Sequence, residues 1–406
     1  MYFKIALRQK IAIISKLVQV LQMQDKQIFT SRRQDDKRPQ CKTSTSSEEQ
    51  KSLRYIFVTS FLLIVITSYS YPYLFQRPNQ RHSKMMASRS SRYSNFAGAI
   101  SEKLESDRYW LEGDKSHWYN VESIQVENAS KMVGTAANQI MAKFVQLGPD
   151  EETGRFIRQS VEITDQLFTQ MWHNLAKSVL KRFFGYTQTD INGYLRRGSM
   201  FVLSSEQFNL LREKAGIRSS IESAEGSLID LGAGDGKPTD YLRPFYKETY
   251  ATEASWAMRD ILKEKGIIVL DIDDWDVQDD SQRTFDAVAC LNLFDRCEKP
   301  LTILRQIRKA LKPGGLLVIA LVLPFSPYVE WNTDHRPLEY LLNPSQENPN
   351  EEFAFEKQIP LIINKIESEG FSIGAWSRVP YLCEGDMGQS LYVLSDAVFL
   401  CTLNDQ

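Results

Sequence analysis

Cysteine and histidine are scarce in this 406-residue sequence. The five cysteines include no Cys-x-x-Cys pair, and the four histidines lie far apart along the chain. A sparse, odd-numbered set of cysteines is not a disulfide framework, and neither residue type shows the spacing of a zinc site. The sequence therefore favours buried thiols in a hydrophobic core for Cys41, Cys290, Cys297, Cys383 and Cys401.

The larger, C-terminal part of the chain has no surplus of basic residues. Residues 1–100 carry 17 Lys and Arg against five Asp and Glu, whereas the remaining residues carry 32 against 46, and the whole chain has a net charge of −2. An acidic domain does not attract a long polyanion, so the composition argues against nucleic acid as a substrate. The basic part suits either an anionic lipid surface or a solvated tail.

A single long apolar run stands out within the basic part. Tyr55–Phe75 contains no charged residue and is long enough to span a bilayer, with tyrosines placed for the interfaces. Because 54 residues precede it, the run resembles a signal anchor more than a cleaved signal peptide, and a buried strand or helix is the alternative. Upstream, Met1–Gln24 is basic and amphipathic, as in a surface or mitochondrial targeting helix; an accidental amphipathic stretch is the alternative. The predicted division is a basic, largely disordered tail (1–54), the anchor (55–75), a linker (76–105), a helical N-terminal lobe (106–222) and an α/β domain (223–406).

The pattern in 106–222 is helical. Apolar residues recur every three or four positions from Phe156 to Phe184, and the cluster Thr187–Gly193 is predicted to end that helix. Ser204 or Ser205 is then expected to cap the start of a further helix.

After Gly226 strand and helix signals alternate, which predicts a mostly parallel sheet wrapped by helices. Lys312–Gly315 is expected to form a turn, and Pro380–Asp386 to interrupt an antiparallel C-terminal hairpin. Five βα units followed by that hairpin predict a Rossmann-like fold with seven strands, in the version used by S-adenosylmethionine (SAM)-dependent methyltransferases. The predicted strands are 227–231, 248–252, 267–270, 285–291, 316–323, 372–378 and 391–402, and the predicted helices are 239–246, 255–265, 300–311 and 355–369.

The first of these strands runs into a glycine turn, Leu228–Gly236. Glycines allow a tight strand-to-helix turn and a close approach of the backbone to a ligand. Asp230 and Asp235 would repel a diphosphate and favour a ligand with an amino group, hydroxyls or a positive charge, all of which SAM has. A glycine turn without a ligand is the alternative.

Acidic residues follow the next two strands, where ligands of such sheets bind. Glu253 lies about twenty residues after the glycine turn, where a carboxylate can accept both ribose hydroxyls; an exposed helix-cap acid is the alternative. Asp271–Trp275 could offer an acid to the adenine amino group and the Trp275 ring to the adenine face. A solvated acidic loop explains that segment equally well.

Polar residues also follow the fourth strand, in the segment Cys290–Cys297. Asn292 and Asp295 are expected beside the methyl group, because polar residues that break a buried strand are costly unless they are paired or functional. A structural loop is the alternative. Tyr381 or Glu384, near the C-terminal hairpin, is expected to fold over the site.

Several segments resemble the DREV (methyltransferase-like protein 9) family from about His117 to Leu403. They are LRRGSMFVLSSEQF, LIDLGAGDG, YATEAS, CLNLFDRC, ALVLPFSPYVE, PYLCEGDM and YVLSDAVF. The resemblance implies a SAM-dependent protein-histidine methyltransferase that acts on the pros nitrogen of histidine in His-x-His motifs. It also implies association with the endoplasmic reticulum, with mitochondria as an alternative.

The same resemblance implies roles for individual residues. Glu253, Asn292 and Tyr381 match the family's cofactor contacts, and Asp295 matches an acid at the substrate imidazole, which makes Asn292 and Asp295 the predicted catalytic pair. Asp230, Gly232 and Gly234 match its glycine-loop motif. The N-terminus and the loop 271–282 are longer than the family pattern.

Two other functions are compatible with parts of the sequence. A signal-anchored glycosyltransferase would use Asp271 and Asp273 to bind a metal ion, and would suit the anchor and basic stem. A methyltransferase fold without activity would serve as a binding module. Manganese dependence would indicate the first, and absence of SAM binding the second.

Overall fold

A computed structural model describes residues 103–122, 135–164, 180, 186–217, 224–278, 281–330, 333–343, 354–386 and 388–404. The predicted tail, anchor and most of the linker lie outside these ranges. Among the residues described, no helix combines the length and apolarity needed to cross a membrane.

The elements of the N-terminal segment are mainly helical. Residues 103–112 are helical, and a 3-10 turn follows at Ser116–Tyr119. The labelled elements are α1 (Thr135–Ala142), α2 (Glu151–Thr164), α3 (Gln188–Leu195), β1 (Met200–Phe201) and α4 (Ser205–Lys214).

The α/β part continues from residue 227. Its elements are β2 (Ser227–Leu231), α5 (Lys237–Leu242), β3 (Glu248–Thr252), α6 (Trp256–Glu264), β4 (Ile268–Leu270), β5 (Val277–Gln278), β6 (Ser281–Gln282), β7 (Phe285–Leu291), α7 (Pro300–Ala310), β8 (Leu311–Val322), α8 (Ala354–Ser368), β9 (Phe371–Glu384) and β10 (Leu391–Leu403).

The sheet has the predicted doubly wound topology. Its strand order in the described part of the chain is β1-β9-β10-β8-β7-β2-β3-β4, with β5 and β6 forming a separate hairpin. Strands β8, β7, β2, β3 and β4 pair in parallel, while β10, β9 and β1 pair antiparallel. The predicted seven strands are therefore present, and the two-residue β1 adds an eighth at the edge.

Both faces of the sheet are buried, as expected for a parallel sheet covered by helices. In β8, Leu317, Ile319 and Leu321 enter a core shared with α7 and α8. The alternate residues enter the opposite core, which contains Tyr119, Phe156 and Phe208 of the N-terminal segment. That segment therefore packs on the same sheet that carries the predicted site.

Two helices of the N-terminal segment begin at residues whose side chains cap them. Ser204 caps α4, accepting from the Gln207 N–H, as predicted. Thr187 caps α3 in the same way through Asp190. The polar residues of Thr187–Gly193 therefore cap and build a new helix, and the predicted end of the preceding helix lies outside the described residues.

Two expectations were wrong at the level of local structure. Lys312–Gly315 is an irregular part of β8, since Leu311 already pairs with Phe285 of β7. Pro380–Glu384 continues β9, and the hairpin turns only after Glu384. The crossover from β4 to β7, for which no helix was predicted, contains the β5–β6 hairpin in its described residues.

Candidate cofactor and methyl-transfer site

The glycine turn has a backbone that favours glycine. Gly232, Gly234 and Gly236 all have positive φ, at 73°, 58° and 70°. The N–H groups of Gly232 and Ala233 both donate to the Thr252 carbonyl, at 3.0 Å each, which fixes the turn against the end of β3. A Cβ added to Gly234 would meet no atom within 4 Å, so this glycine borders open space.

Glu253 lies directly after β3 and faces this turn. Its carboxylate accepts the Gly234 N–H at 2.9 Å and the Ser255 N–H at 2.8 Å. The side chain is buried, and burial raises its pKa despite those hydrogen bonds. Glu253 is thus a buried acceptor at the glycine turn, and the prediction of an exposed helix-cap acid does not describe it.

Asp230, the acid within β2, is also buried. Thr239 donates its hydroxyl to one carboxylate oxygen at 2.5 Å, and the other oxygen has no hydrogen-bond partner among the described residues. Burial raises the pKa of Asp230 to about 7, with a further contribution from the charge of Glu253. Asp230 and Glu253 therefore place two carboxylates on either side of the turn.

Asn292 follows β7 with φ of 62°. Its backbone N–H donates to the Ala320 carbonyl of β8 at 3.0 Å, and its side-chain Nδ2 donates to Asp396 of β10 at 2.7 Å. Asp396 is fully buried, and burial raises its pKa well above the ordinary value. The carbonyl oxygen of Asn292 and the second oxygen of Asp396 are buried without a partner in the described part of the chain.

Asp295 lies three residues further along the same loop. Its Oδ2 is 3.1 Å from Nε of the half-exposed Arg296, while its Oδ1 is buried and has no partner among the residues described. Burial raises the pKa of Asp295 to about 6, against the opposing charge of Arg296. The charge of Asp295 in turn raises the pKa of Asp396, which places the two acids in one electrostatic environment.

Tyr381 reaches the same environment from β9. It is 9 % exposed, and its hydroxyl donates to the Met200 sulfur. Burial raises its pKa well above the usual value, and the charges of Asp396 and Asp295 act in the same direction. The structure therefore brings Asn292, Asp295 and Tyr381 to the same end of the sheet.

The segment before β1 closes one side of the glycine turn. Ser199 donates its hydroxyl to Asp235 at 2.5 Å, and the buried guanidinium of Arg197 pairs with the Glu384 carboxylate. Glu384 therefore holds this segment to the end of β9 and does not fold over the site as expected.

The Trp275 side chain does not take the predicted position on the adenine face. It is 3 % exposed and packs against Phe285 with ring centroids 6.3 Å apart, so its ring belongs to the core. Asp271, Asp273 and Asp274 are exposed, which is compatible both with a solvated acidic loop and with an acid at the adenine amino group.

Asp396 was not predicted as a site residue. The sequence signal that could have found it is an acid directly before the apolar run Ala397–Cys401. Burying a carboxylate in such a strand costs free energy unless it has a partner.

Among the described residues, four side-chain oxygens around this end of the sheet are buried without a partner. They are the Oδ1 atoms of Asp230, Asn292, Asp295 and Asp396. A ligand that brings hydrogen-bond donors or positive charge would satisfy them, because buried acceptors without partners are costly. SAM carries an ammonium group, a sulfonium and ribose hydroxyls, so the residues present fit this cofactor.

The fold and this site define the class: a Rossmann-like SAM-dependent methyltransferase. The sequence profile described as DREV methyltransferase matches residues 132–403. Because that match covers about two thirds of the sequence, the chain belongs to the DREV methyltransferase family, and SAM is its cofactor. The glycosyltransferase interpretation of Asp271 and Asp273 is thereby wrong.

Solved structures also align with the chain. One is a putative RNA methyltransferase from Pyrococcus horikoshii, at 13 % identity over 50 % of this chain and 83 % of that chain, with a TM-score of 0.33. Another is the 1,6-didemethyltoxoflavin-N1-methyltransferase of Burkholderia thailandensis with bound S-adenosylhomocysteine, at 16 % identity over 48 % and 78 %, with a TM-score of 0.30. The family match, and not these alignments, identifies the chain.

Proposed function

We propose that this methyltransferase modifies histidine in proteins, at the pros nitrogen of His-x-His motifs. The observation that carries the proposal is Asp295, whose Oδ1 is buried and has no partner in the described chain, beside Asn292 and Tyr381. Such an atom suits an N–H group of a substrate, and the resemblance to the DREV family matches this acid to the substrate imidazole.

Asp295 would orient the acceptor. A neutral imidazole has one free lone pair, and the hydrogen bond made by its other nitrogen decides which nitrogen carries it. Accepting the N–H of the tele nitrogen, Asp295 leaves the pros nitrogen unprotonated and stabilises the positive charge that develops on the ring, as the acid of a catalytic triad does.

When bound, SAM would supply the methyl group, with the break of its S–CH3 bond balancing the new N–CH3 bond and leaving the positive charge on the imidazole. The main contribution of the protein is then position, because the pros nitrogen must lie in line behind the breaking bond. Asn292, Glu253, Asp230 and Tyr381 would hold the cofactor while Asp295 holds the ring. The remaining ring proton stays toward Asp295 and leaves to water after transfer.

Substrates are proposed to be proteins or peptides rather than nucleic acid. Residues 101–406 carry 32 Lys and Arg against 46 Asp and Glu, which favours approach of basic or His-rich segments and disfavours a polyanion.

We further propose association with the endoplasmic reticulum membrane through residues 55–75, with mitochondria as the alternative location. The apolar length of that run supports the proposal. The full chain should remain in the membrane fraction after alkaline carbonate extraction. Recovery in the soluble fraction would contradict an anchor.

The function is tested by separating binding from transfer in Asp295→Ala. This variant should bind SAM like the unmodified protein in calorimetry but lose methylation of a His-Ala-His peptide. Asp260→Ala, at an exposed acid on α6, is the matched control and should retain both. Equal loss of binding and transfer in Asp295→Ala would refute the orienting role, and absence of any SAM binding in the unmodified protein would indicate a binding module.

A further inference from the structure

Asp396 is a buried acid in the middle of the antiparallel part of the sheet. It pairs with Val322 at the carboxyl end of β8 on one side and with Val379 of β9 on the other. Its side chain is 0 % exposed, and the residues that follow it are apolar. Because burying a carboxylate costs free energy unless it is paired, its partner indicates what it does.

That partner is the side-chain amide of Asn292, at 2.7 Å. The backbone of Asn292 is held by its hydrogen bond to Ala320. The carboxamide itself can still flip, which exchanges the positions of its NH2 group and its carbonyl oxygen. The NH2 end faces Asp396, whose Oδ2 accepts from it. This hydrogen bond lowers the pKa that burial raises, so it favours the ionised form, which only accepts. The carbonyl oxygen of Asn292 is thereby turned away from Asp396, and it is the atom that is buried without a partner in the described chain.

The strand order separates this oxygen from Glu253. Glu253 follows β3 and the glycine turn follows β2, whereas Asn292 follows β7, on the opposite side of β2 from β3. If Glu253 holds the ribose, the amino-acid end of SAM would extend across the glycine turn toward β7. The hydrogen-bond donor at that end of SAM is its ammonium group.

We propose that Asp396 is a positioning residue for the cofactor: it holds the Asn292 carboxamide with its carbonyl oxygen toward the ammonium group of SAM. The proposal rests on the methyltransferase assignment and is independent of histidine as the methyl acceptor. Without Asp396, no acceptor fixes the orientation of the carboxamide. Cofactor binding must then hold the NH2 group against the residue that replaces Asp396, where it is buried without a partner.

The test is the affinity for S-adenosylhomocysteine, measured by calorimetry in Asp396→Val. Valine has a similar size and suits a strand, so the ligand-free variant should melt at or above the temperature of the unmodified protein. Affinity should fall by about tenfold or more, because a buried donor without a partner costs about 1–3 kcal/mol. An unchanged affinity would overturn the proposal.

A second ligand separates positioning from general damage. 5′-Methylthioadenosine lacks the amino-acid end of the cofactor and so makes no ammonium contact. Its affinity should be the same in Asp396→Val and in the unmodified protein. Equal loss for both ligands would contradict a role at the ammonium group.

A double-mutant cycle tests whether Asp396 acts through Asn292. Asn292→Gly removes the carboxamide and accepts the positive φ. The double variant should bind S-adenosylhomocysteine no more weakly than Asn292→Gly alone, because the two residues form one unit. Additive losses would refute this coupling.

A conservative variant distinguishes the acceptor from its charge, and it also serves if Asp396→Val does not fold. In Asp396→Asn the new carboxamide can place either its oxygen or its NH2 group toward Asn292, and only the first orientation accepts the hydrogen bond. If the two orientations are equally populated, the affinity for S-adenosylhomocysteine should fall only about twofold. A tenfold loss in folded Asp396→Asn would show that the charge matters and would overturn the positioning role. Asp260→Asn is the matched control and should bind both ligands normally.

Discussion

The Glu253 carboxylate accepts the N–H of Gly234 at 2.9 Å. The acid after the second parallel strand is therefore held by the glycine turn after the first, and the two predicted parts of the cofactor site form one unit. The acid that would hold the ribose thus also supports the loop that the cofactor must approach.

Replacing this carboxylate should weaken cofactor binding. We expect Glu253→Ala to reduce affinity for S-adenosylhomocysteine by about tenfold or more, since a hydrogen bond to a charged group contributes about 1.5–3 kcal/mol. Calorimetry measures this directly. Glu248→Ala removes an exposed acid from the start of the same strand and should bind normally. Normal binding by Glu253→Ala would exclude the ribose role.

The open space at Gly234 gives a second prediction. Gly234→Ala should lose cofactor affinity through both backbone strain and a methyl group in the site. Gly266 has φ of 74° and also no atom within 4 Å of an added Cβ, but it follows α6 outside the site. Gly266→Ala should therefore lose about as much stability as Gly234→Ala, about 1–2 kcal/mol in the free energy of unfolding, but should bind the cofactor normally. Equal binding by both variants would contradict a site at Gly234.

Arg296 should set the acidic limit of activity. Asp295 stabilises the positive charge that develops on the imidazole only when it is ionised, so kcat/KM should fall as the pH falls through about 6, the pKa of Asp295 in the folded protein. Arg296 lowers that pKa, so Arg296→Gln should move the acidic limb to higher pH. The substrate imidazole titrates in the same way with the unmodified protein and with Arg296→Gln. A difference between their two pH profiles of kcat/KM therefore reports the pKa of Asp295. Arg305→Gln, at an exposed arginine of α7, should leave the profile unchanged, and an unshifted limb in Arg296→Gln would contradict the coupling.

Buried carboxyls should make the ligand-free protein less stable as the pH rises. The pKa of Asp230 is raised to about 7 in the folded state, above its unfolded value, so the folded state binds more protons between those values. This stabilisation is complete below the unfolded pKa and is lost as the pH rises through about 7. Denaturant unfolding should give a lower free energy of unfolding at pH 8 than at pH 5, with each group contributing at most about 1.4 kcal/mol per pH unit.

Asp230→Asn removes the titration of this carboxyl, so the free energy of unfolding should fall less steeply between pH 5 and pH 8. Asp260→Asn, at an exposed acid, should leave the slope as it is. A free energy of unfolding that rises from pH 5 to pH 8 would contradict the protonation states described for the site.

The sequence was most informative where one pattern dominates. Apolar strand signals located the main strands, although β8 begins five residues before and β9 ends six residues after the predicted bounds. Polar residues after these runs pointed to Glu253, Asn292 and Asp295. The two-residue β1 escaped prediction because so short a strand has no periodicity of its own and forms only by pairing with β9. The predicted role of Trp275 was wrong because a tryptophan that follows acidic residues can either stack on a ligand or pack in the hydrophobic core. Packing against Phe285 decides between them, and no local signal reports that contact.

Asp396 shows a different limit. Its acidic side chain in an apolar strand was visible in the sequence, but its meaning depends on Asn292, 104 residues away in the chain. Only the order of β7, β8 and β10 in the sheet brings the two together. Pairs of this kind are set by topology.

The most direct measurement is to locate the methyl group. The full chain is incubated with SAM carrying an isotopically labelled methyl group and with a His-Ala-His peptide, and the product is sequenced by mass spectrometry and hydrolysed for comparison with the two methylhistidine standards. The account predicts label on histidine, as the pros isomer only, and none with an Ala-Ala-Ala peptide or with Asp295→Ala. Label on another residue, the tele isomer, or no transfer by a protein that binds SAM would contradict it.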